Sequence, residues 1–312
     1  MVNNLKGAFI GAGAQKSVLT NLPNLYVNPS SLMSNTPPSA SNPWPLLVTF
    51  VGGDFLVSDM GMSITGDKPT TGWTVPGLPP PLKFYELLNG FGFTSTRANA
   101  IFLRVDIEGE LAPNDLSGYN VMNGIEFEAD GTGFGPTEKL ISGSLVVSDS
   151  IFRSVGSAIA VSNVSDSWIL ITRNTCEDVY DALDLSCLLR SRYEFSFNTV
   201  QTTNVYDPTY NCSIYDQDKT ISSIASSEIL ISHNVFSIQS SVPGSFSTGI
   251  GIAATFTGGS RCQILSNDFQ AVTVLGIYLG PGTSHCIVAG NSPTTIQNLG
   301  TDNIIINKGS AP

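Results

Sequence analysis

The sequence predicts an all-β protein in which short parallel strands stack as a repeating coil. Three observations lead to this prediction: a composition poor in charge, an asparagine that recurs in phase with apolar residues, and a second apolar strand upstream of each repeat. Only 12% of the residues are charged, while the chain holds 30 Gly and 18 Pro. Such a composition is rich in turn formers and poor in the residues that solvate helices, so it favours strands.

An asparagine ends each of five apolar strands. These strands read ILITRN, EFSFN, ILISHN, CQILSN and CIVAGN, and they end at Asn174, Asn198, Asn234, Asn267 and Asn291. The spacing indicates a unit of about 24 residues with insertions. Upstream, we expect Asp149 in the same position, with Asp106 and Asp59 as looser matches. Because one such unit cannot bury its apolar face, the copies are expected to stack, with each asparagine bonded to the next.

Apolar residues keep a constant distance from this asparagine. Three residues before it stand Val146, Ile171, Phe195, Ile231, Ile264 and Val288, and two residues after it stand Ile151, Cys176, Val200, Phe236 and Phe269. A second strand recurs as GIEFE, AIAVS, ALDLS, GIGIA and GIYLG, with alternate residues expected to point inward. Each repeat is therefore predicted to supply two or three strands, in a coil of about 8–10 rungs.

The rungs resemble a known superfamily. NTCEDVYDALDLS followed by YEFSFNTV, and SEILISHNVF, look like rungs of the pectate-lyase-like right-handed parallel β-helix proteins, and LKGAFIGAGAQKSVLT is similar to their early rung. The resemblance covers roughly residues 5–307 and implies one right-handed parallel β-helix domain over residues 1–312. It does not imply one activity, because members include polysaccharide lyases, glycoside hydrolases, epimerases, phage tailspikes and surface proteins.

Three interruptions of the repeat are expected to be inserted loops on the binding side of the coil, at about residues 63–98, 108–138 and 201–219. The third loop mixes aromatic and acidic residues, which suits stacking on sugar rings and bonding to hydroxyls. Its candidate substrate-binding residues are Tyr206, Tyr210, Tyr215, Asp216 and Asp218. The alternative is that these aromatic residues only anchor a long loop to the coil.

The second strand carries a predicted column of outward residues: Glu126, Ala160, Asp184, then Ser222 or Thr220, Gly251 and Tyr278. Glu126 and Asp184 would lie two rungs apart, about 9–10 Å along the coil. This separation is near the upper end of that used by inverting glycosidases. Tyr278 is a further candidate for substrate binding. The alternative is that outward carboxylates are solvated surface groups.

Further candidates for catalysis lie close to this column in the sequence. Asp181 directly precedes it, and Arg190, Arg192 and Lys219 are expected to approach it from neighbouring turns. A lyase would use an arginine or lysine as the base, with acidic groups and often Ca²⁺ to neutralise the substrate carboxylate. Apart from Ca²⁺ for a lyase the cofactor stays unknown; no residue is assigned as a metal ligand, and a structural zinc site is not expected because the chain has no CxxC pair.

Composition and cysteines narrow the partners and the compartment. The formal net charge of −11 would repel nucleic acid, and no apolar run is long enough to span a membrane. No secretion signal is visible, yet the low charge and the sequons at Asn163 and Asn211 suit an extracellular or cell-surface protein. Cys262 and Cys286 are expected on adjacent rungs, as a disulfide or as free thiols, while Cys212 is a possible partner of Cys187.

Two functions follow. The first is a carbohydrate-active protein that binds or cleaves an extracellular polysaccharide or oligosaccharide, as a polysaccharide lyase or an inverting glycoside hydrolase. The second is a non-enzymatic surface, adhesin or tailspike-like module, in which the coil is a rigid spacer. An exposed coil end would permit homo-oligomers.

Overall fold

The computed structural model of the chain describes residues 2–20, 46–63, 73–74, 83–86, 89–93, 96–109, 118–121, 123–128, 140–179, 181–202, 211–216, 227–238, 247–252, 261–270, 275–292 and 294–306. Every regular element in these ranges is a β-strand, so the all-β prediction is confirmed there. Within them, no helix would span a bilayer.

The strands, in chain order, are β1 Val2–Ile10, β2 Val18–Thr20, β3 Leu46–Ser58, β4 Gly61–Ser63, β5 Trp73–Thr74, β6 Lys83–Glu86, β7 Asn89–Phe93, β8 Arg97–Leu103, β9 Asp106–Glu108, β10 Gly118–Val121, β11 Ile125–Phe127, β12 Ile141–Ser148, β13 Ile151–Arg153, β14 Ser157–Thr172, β15 Thr175–Glu177, β16 Asp181–Leu189, β17 Arg192–Ser196, β18 Thr199–Thr202, β19 Asn211–Asp216, β20 Glu228–Ser232, β21 Val235–Ile238, β22 Ser247–Ile252, β23 Arg261–Leu265, β24 Asp268–Phe269, β25 Leu275–Leu279, β26 Ile287–Ala289, β27 Ile296–Asn298 and β28 Ile304–Ile306.

These strands stack in register as three faces. The first face contains the start of β3, then β7, β11, the start of β14, β16, β19, β22, β25 and β27. The second contains β1, the end of β3, β8, β12, the end of β14, β17, β20, β23, β26 and β28. The third is an 8-stranded sheet of β2, β4, β9, β13, β15, β18, β21 and β24.

The pairing is parallel along all three faces, as in a parallel β-solenoid. One strand of the second face per rung gives ten rungs in the described part of the chain, which agrees with the predicted number. A small separate sheet, β10-β6-β5, contains an antiparallel pair between β5 and β6. The strands β7, β11 and β19 belong to the stacked faces although they fall within ranges expected to be inserted loops.

The interior of the coil is filled by apolar side chains that stack in columns from rung to rung. Successive inward positions of the second face are occupied by Ile171, Phe195, Ile231, Ile264 and Val288, all buried. Because β-branched and aromatic residues alternate with polar ones, each strand buries one side, and each fully buried large side chain contributes about 1.5–3 kcal/mol. The inward residues predicted for the first face, such as Ile159 and Leu183, are buried and in register, which confirms that assignment.

The asparagine ladder is also confirmed. In each step, the side-chain Oδ1 of one asparagine accepts hydrogen bonds from the backbone N–H and Nδ2 of the asparagine one rung earlier; between Asn174 and Asn198 these distances are 2.8 and 3.1 Å. Equivalent pairs join Asn198 to Asn234, Asn234 to Asn267, and Asn267 to Asn291. Each Nδ2 also donates to a backbone carbonyl, for example Asn198 to Ile171. The ladder therefore satisfies polar groups that the corner buries.

The predicted start of the ladder is wrong by one residue. Ser150, not Asp149, occupies the ladder position, and its N–H donates to Asn174 Oδ1 at 3.0 Å. Asp149 precedes it at the corner with φ 52°, a left-handed conformation that aspartate tolerates. The same shift makes Val147 and Phe152 the buried column residues in place of Val146 and Ile151, and register places Val105 and Met60 in the ladder position in place of Asp106 and Asp59.

Among the described side chains, two cysteines form a disulfide bond and a third is a buried free thiol. Cys262 and Cys286 lie on adjacent rungs and form a disulfide, with 4.5 Å between their Cα atoms. Cys176 is buried and free. The proposed Cys187–Cys212 pair is contradicted by register: Leu183 pairs with Ile214, so the two cysteines are offset by six residues, about 20 Å along the strands.

Candidate functional site

The strand register places the predicted outward residues of the first face in one column. Glu126 pairs with Ala160, and Ala160 pairs with Asp184. Beyond Asp184 the column continues through Tyr215, Gly251 and Tyr278. The flanking residues point inward and are fully buried, as Leu183 and Leu185 are around Asp184. The order predicted from the alternation is thus confirmed for Glu126, Ala160, Asp184, Gly251 and Tyr278.

Tyr215 takes the place that was predicted for Ser222 or Thr220. The strand β19 supplies Ile214 in register with Leu183 on one side and Ile250 on the other. Because this apolar position continues the inward column, the next residue falls in the outward one. The signal was present in the sequence, since NCSIYD carries an isoleucine between polar residues, but the run of tyrosines and aspartates around it favoured a loop interpretation.

The outer surface of the first face is shielded from solvent around Ala160. In β14, every residue from Ser157 to Ser165 is buried, on both sides of the strand. Glu126 is only 4% exposed and Ala160 only 6%, although both point away from the core, while Asp184 is partly buried. We call residues Glu126, Ala160 and Asp184 the carboxylate column. Its two acids therefore lie in a setting where charge is costly.

Burial and a neighbouring charge both act on Asp184. Loss of hydration raises the pKa of the Asp184 carboxyl, and the negative charge of Glu126 raises it further, to about 7. The two residues are separated by two ladder steps, about 9.6 Å between their backbones. Ala160 contributes only a methyl group between them. One carboxyl of the pair is thus able to hold a proton near neutral pH, which is the property of a general acid.

The other predicted catalytic residues are more dispersed. Asp181 begins β16, in register with Ser157, three residues before Asp184. Arg192 lies beyond the corner, exposed on the second face between Trp168 and Glu228. Lys219 lies outside the described residues, as do Tyr206, Tyr210 and Asp218. Asp216 shares the register of Leu185 and Ile252, which is an inward position, and not that of the carboxylate column.

Arg190 does not approach the carboxylate column. Its guanidinium donates to both carboxylate oxygens of Asp166 one rung earlier, at 2.7 and 2.6 Å. Both residues are at left-handed corner positions, with φ of 46° and 48°. This corner separates the first face from the second. The charges of Arg190 and Asp166 neutralise each other there, because the two side chains form an ion pair at the surface.

A second feature that the sequence reasoning missed runs beside the asparagine ladder. The residue before each ladder position adopts a left-handed conformation and points outward. Successive residues of this corner file are Asp59, Arg104, Asp149, Arg173, Phe197, His233, Ser266 and Gly290. Arg104 pairs with Asp59 at 2.6 Å and Arg173 with Asp149 at 2.8 Å, and the Arg173 guanidinium lowers the pKa of Asp149 to about 2.

The corner file then changes from charged to aromatic. The rings of Phe197 and His233 stack with centroids 4.9 Å apart and planes inclined by 14°. Phe197 is 58% exposed. The signal in the sequence was the fixed offset of one residue from each asparagine, which places Arg173, Phe197 and His233 in one file.

No protein-family model and no curated protein matches the chain. Among the described side chains, no group of three or more His, Cys, Asp or Glu is arranged to hold a metal ion. The carboxylate column is the candidate site on the strength of its own geometry and electrostatics.

Proposed function

We propose that this chain is a right-handed parallel β-helix protein of the pectate-lyase-like kind that hydrolyses an extracellular polysaccharide with inversion, at the carboxylate column. The observation that carries the proposal is that Glu126 and Asp184 flank Ala160 in one outward column, with the pKa of Asp184 raised to about 7. Two carboxyl groups that face the same substrate, one protonated and one ionised, are what inverting glycoside hydrolysis requires.

The roles follow from the two environments. Protonated Asp184 gives its proton to the glycosidic oxygen as the bond to the anomeric carbon breaks. Glu126 accepts a proton from the water that attacks that carbon on the opposite side, beside the methyl group of Ala160. Proton exchange with solvent then restores both groups. Asp184 is the partly accessible member of the pair, which suits the residue that meets the substrate.

Hydrolysis is proposed over elimination because the carboxylate column supplies two carboxyl groups. A lyase needs a base beside the sugar; of the predicted bases, Arg192 lies on the second face beyond the corner, and Lys219 lies outside the described residues. Beyond the carboxylate column, the same outward register continues along the coil axis through Tyr215, Gly251 and Tyr278. The half-buried ring of Tyr278 is suited to stacking on a sugar of the substrate chain.

An extracellular location is part of the same proposal. The Cys262–Cys286 disulfide supports it, because such bonds persist in oxidising compartments. The sequon at Asn163 gives no support, since Asn163 is 3% exposed and lies within β14.

The proposal is tested by incubating the purified full chain with a panel of neutral and acidic polysaccharides. We expect new reducing ends without the ultraviolet absorbance of unsaturated products, and proton NMR of the first products should show inversion at the anomeric carbon. Asp184→Asn and Glu126→Gln should each lower kcat by at least about a hundredfold. The control is Glu108→Gln, which changes an exposed carboxylate on the third face and should retain activity.

The pH profile provides a second test. Because Asp184 must be protonated, the rate should fall as the pH rises through about 7. Full activity in both column variants would remove the assignment, and unsaturated products would replace hydrolysis by elimination. Binding to a polysaccharide without any cleavage would favour the adhesin alternative.

A further inference from the structure

The second face presents two parallel columns of side chains to solvent. Column A contains, from rung one to rung seven, Lys6, Asp54, Asn99, Ser144, Trp168, Arg192 and Glu228. Column B, two residues further along each strand, contains Ala8, Leu56, Ile101, Val146, Leu170, Glu194 and Leu230. Both columns point away from the core, because the residues between them, such as Leu145 and Ile169, are fully buried.

Column B is apolar over consecutive rungs at its centre. Leu56, Ile101, Val146 and Leu170 follow one another in register, and Trp168 of column A lies beside them. Ile101 is 44% exposed and Trp168 46%. Scattered apolar residues on a surface are ordinary, but a contiguous strip framed by charge is typical of a protein-binding surface.

The charges of column A are arranged symmetrically about β12. Lys6 and Asp54 lie three and two rungs before it, and Arg192 and Glu228 lie two and three rungs after it, all exposed. Read along the coil, the order is positive, negative, three neutral residues, positive, negative. No ion pair or side-chain hydrogen bond within the described part of the chain engages Lys6, Arg192 or Glu228, whereas Arg104 and Arg173 of the neighbouring corner file are joined in ion pairs to Asp59 and Asp149.

We propose that the second face is a dimer interface, on which a second copy of this chain packs with its coil axis antiparallel. The two-fold axis runs along β12, between the two faces, and reverses the order of rungs while keeping each column opposite itself. Lys6 then meets Glu228 of the second copy, and Asp54 meets its Arg192. At the centre Val146 meets Val146, and Ile101 meets Leu170, which removes the apolar strip from water.

Charge complementarity selects this register. If the axis lay half a rung away, between β12 and the end of β14, Asp54 would oppose Glu228 and Lys6 would oppose Arg261, which follows Glu228 in column A. Like charges would then face each other at both ends of the interface. The arrangement centred on β12 pairs opposite charges at both ends, so the interface is self-complementary as a two-fold contact must be.

The size of the contact sets its strength. Seven rungs span about 29 Å, and two columns of side chains give a narrow footprint at the lower end of specific interfaces. The dimer is therefore weak and depends on protein concentration.

One position is mismatched, because Glu194 of column B opposes Leu56 of the second copy. Replacing Glu194 by leucine should tighten association.

The test is sedimentation velocity of the full chain over a hundredfold range of concentration at low salt. The wild type should shift from monomer to dimer. Val146→Asp should be monomeric throughout, and Glu194→Leu should lower the dissociation constant by about tenfold. Each variant's thermal midpoint is measured at low concentration, so that loss of folding is separated from loss of the dimer.

A charge exchange makes the test specific. Glu228→Lys and Lys6→Glu should each weaken the dimer by about tenfold or more, and the double variant should restore it. Arg261→Glu, in the same column but beyond the footprint, is the matched control and should change little. A chain that stays monomeric at every concentration, or a double variant that dimerises no better than the single ones, would overturn the proposal.

Discussion

The two halves of β14 have the same alternating pattern but different surroundings. From Ser157 to Ser165 every residue is buried, whereas from Asp166 to Leu170 exposed or half-buried residues alternate with buried ones. The inward residues of both halves pack into the same core. The difference lies entirely on the outer side, where the first face is shielded and the second is open. Alternation determines which side faces the core, and it says nothing of what covers the other side.

This difference in shielding goes with opposite shifts in the pKa of carboxyl groups on the two parts of the surface. On the shielded first face, burial and the charge of Glu126 raise the pKa of Asp184 to about 7. At the open corners, the Arg173 guanidinium lowers the pKa of Asp149 to about 2, and Arg190 lowers that of Asp166. Asp184 on the shielded face is thus a carboxyl group that holds a proton near neutral pH, whereas Asp149 and Asp166 at the open corners stay charged.

Equivalent substitutions on the two halves of β14 should have the most unequal effects. Ala160→Glu places a third carboxyl between Glu126 and Asp184 in a buried position, so we expect a loss of about 3 kcal/mol or more in the free energy of unfolding. Trp168→Glu, at an outward position of the open half, should cost within about 1 kcal/mol. Urea denaturation at pH 7 measures both. Equal losses would contradict the shielding of the first face.

A smaller change in stability is expected when the partly buried Asp184 carboxyl is itself removed. The folded-state pKa of Asp184 lies above its unfolded value of about 3.9, so ionisation destabilises the fold as the pH rises from about 4 to about 7. Asp184→Asn should therefore be more stable than the wild type at pH 8, by about 2 kcal/mol. This is half the full linkage value, because the carboxyl is partly accessible.

The pH dependence provides the control for this experiment. The advantage of Asp184→Asn should disappear toward pH 4, where the wild-type carboxyl is protonated in both states. Asp268→Asn, the same substitution at a half-buried position on the third face, is measured beside it as the control for the exchange of carboxyl for amide. A stability difference that is independent of pH would mean that Asp184 is ionised throughout the range.

The smallest difference in stability is expected between two substitutions at the corner that joins β16 of the first face to β17 of the second. Ser191 is buried, and its hydroxyl accepts from the Ser167 N–H at 3.2 Å and donates to the Leu189 carbonyl at 2.9 Å. Ser191→Ala leaves the Ser167 N–H without this acceptor and should cost about 1–2 kcal/mol. The adjacent Arg190→Gln removes only an exposed ion pair and should not shift the thermal midpoint measurably at moderate salt. A larger effect for Arg190 would reverse this ranking.

Much of the fold was predictable because the repeat is local. The Asn174-to-Asn291 ladder and the buried columns around it were predicted from spacing alone, since residues that stack must recur at matching offsets. The error at Asp149 arose because two polar residues, Asp149 and Ser150, stand together at the corner. Only the hydrogen bond from Ser150 to Asn174 distinguishes the ladder residue from the left-handed residue before it.

The candidate site was predictable only in part. Alternation placed Glu126 and Asp184 in one column, and register confirmed it. The position of Tyr215 was not predicted, because its strand follows a long insertion and the spacing no longer counts rungs. The convergence expected for Arg190 and Arg192 also failed to appear: Arg190 pairs with Asp166, and Arg192 lies on the second face.

By itself, the sequence determined the parallel stacking, the inward columns and the asparagine ladder, because each depends on a period that neighbouring rungs share. The tertiary structure alone decided which outer face is shielded and that Ser150, not Asp149, is the ladder residue. It also decided that the pKa of Asp184 is raised. These properties depend on contacts between segments far apart in the chain. No periodic pattern records such contacts, since hydration and charge at a surface are set by whatever packs against it.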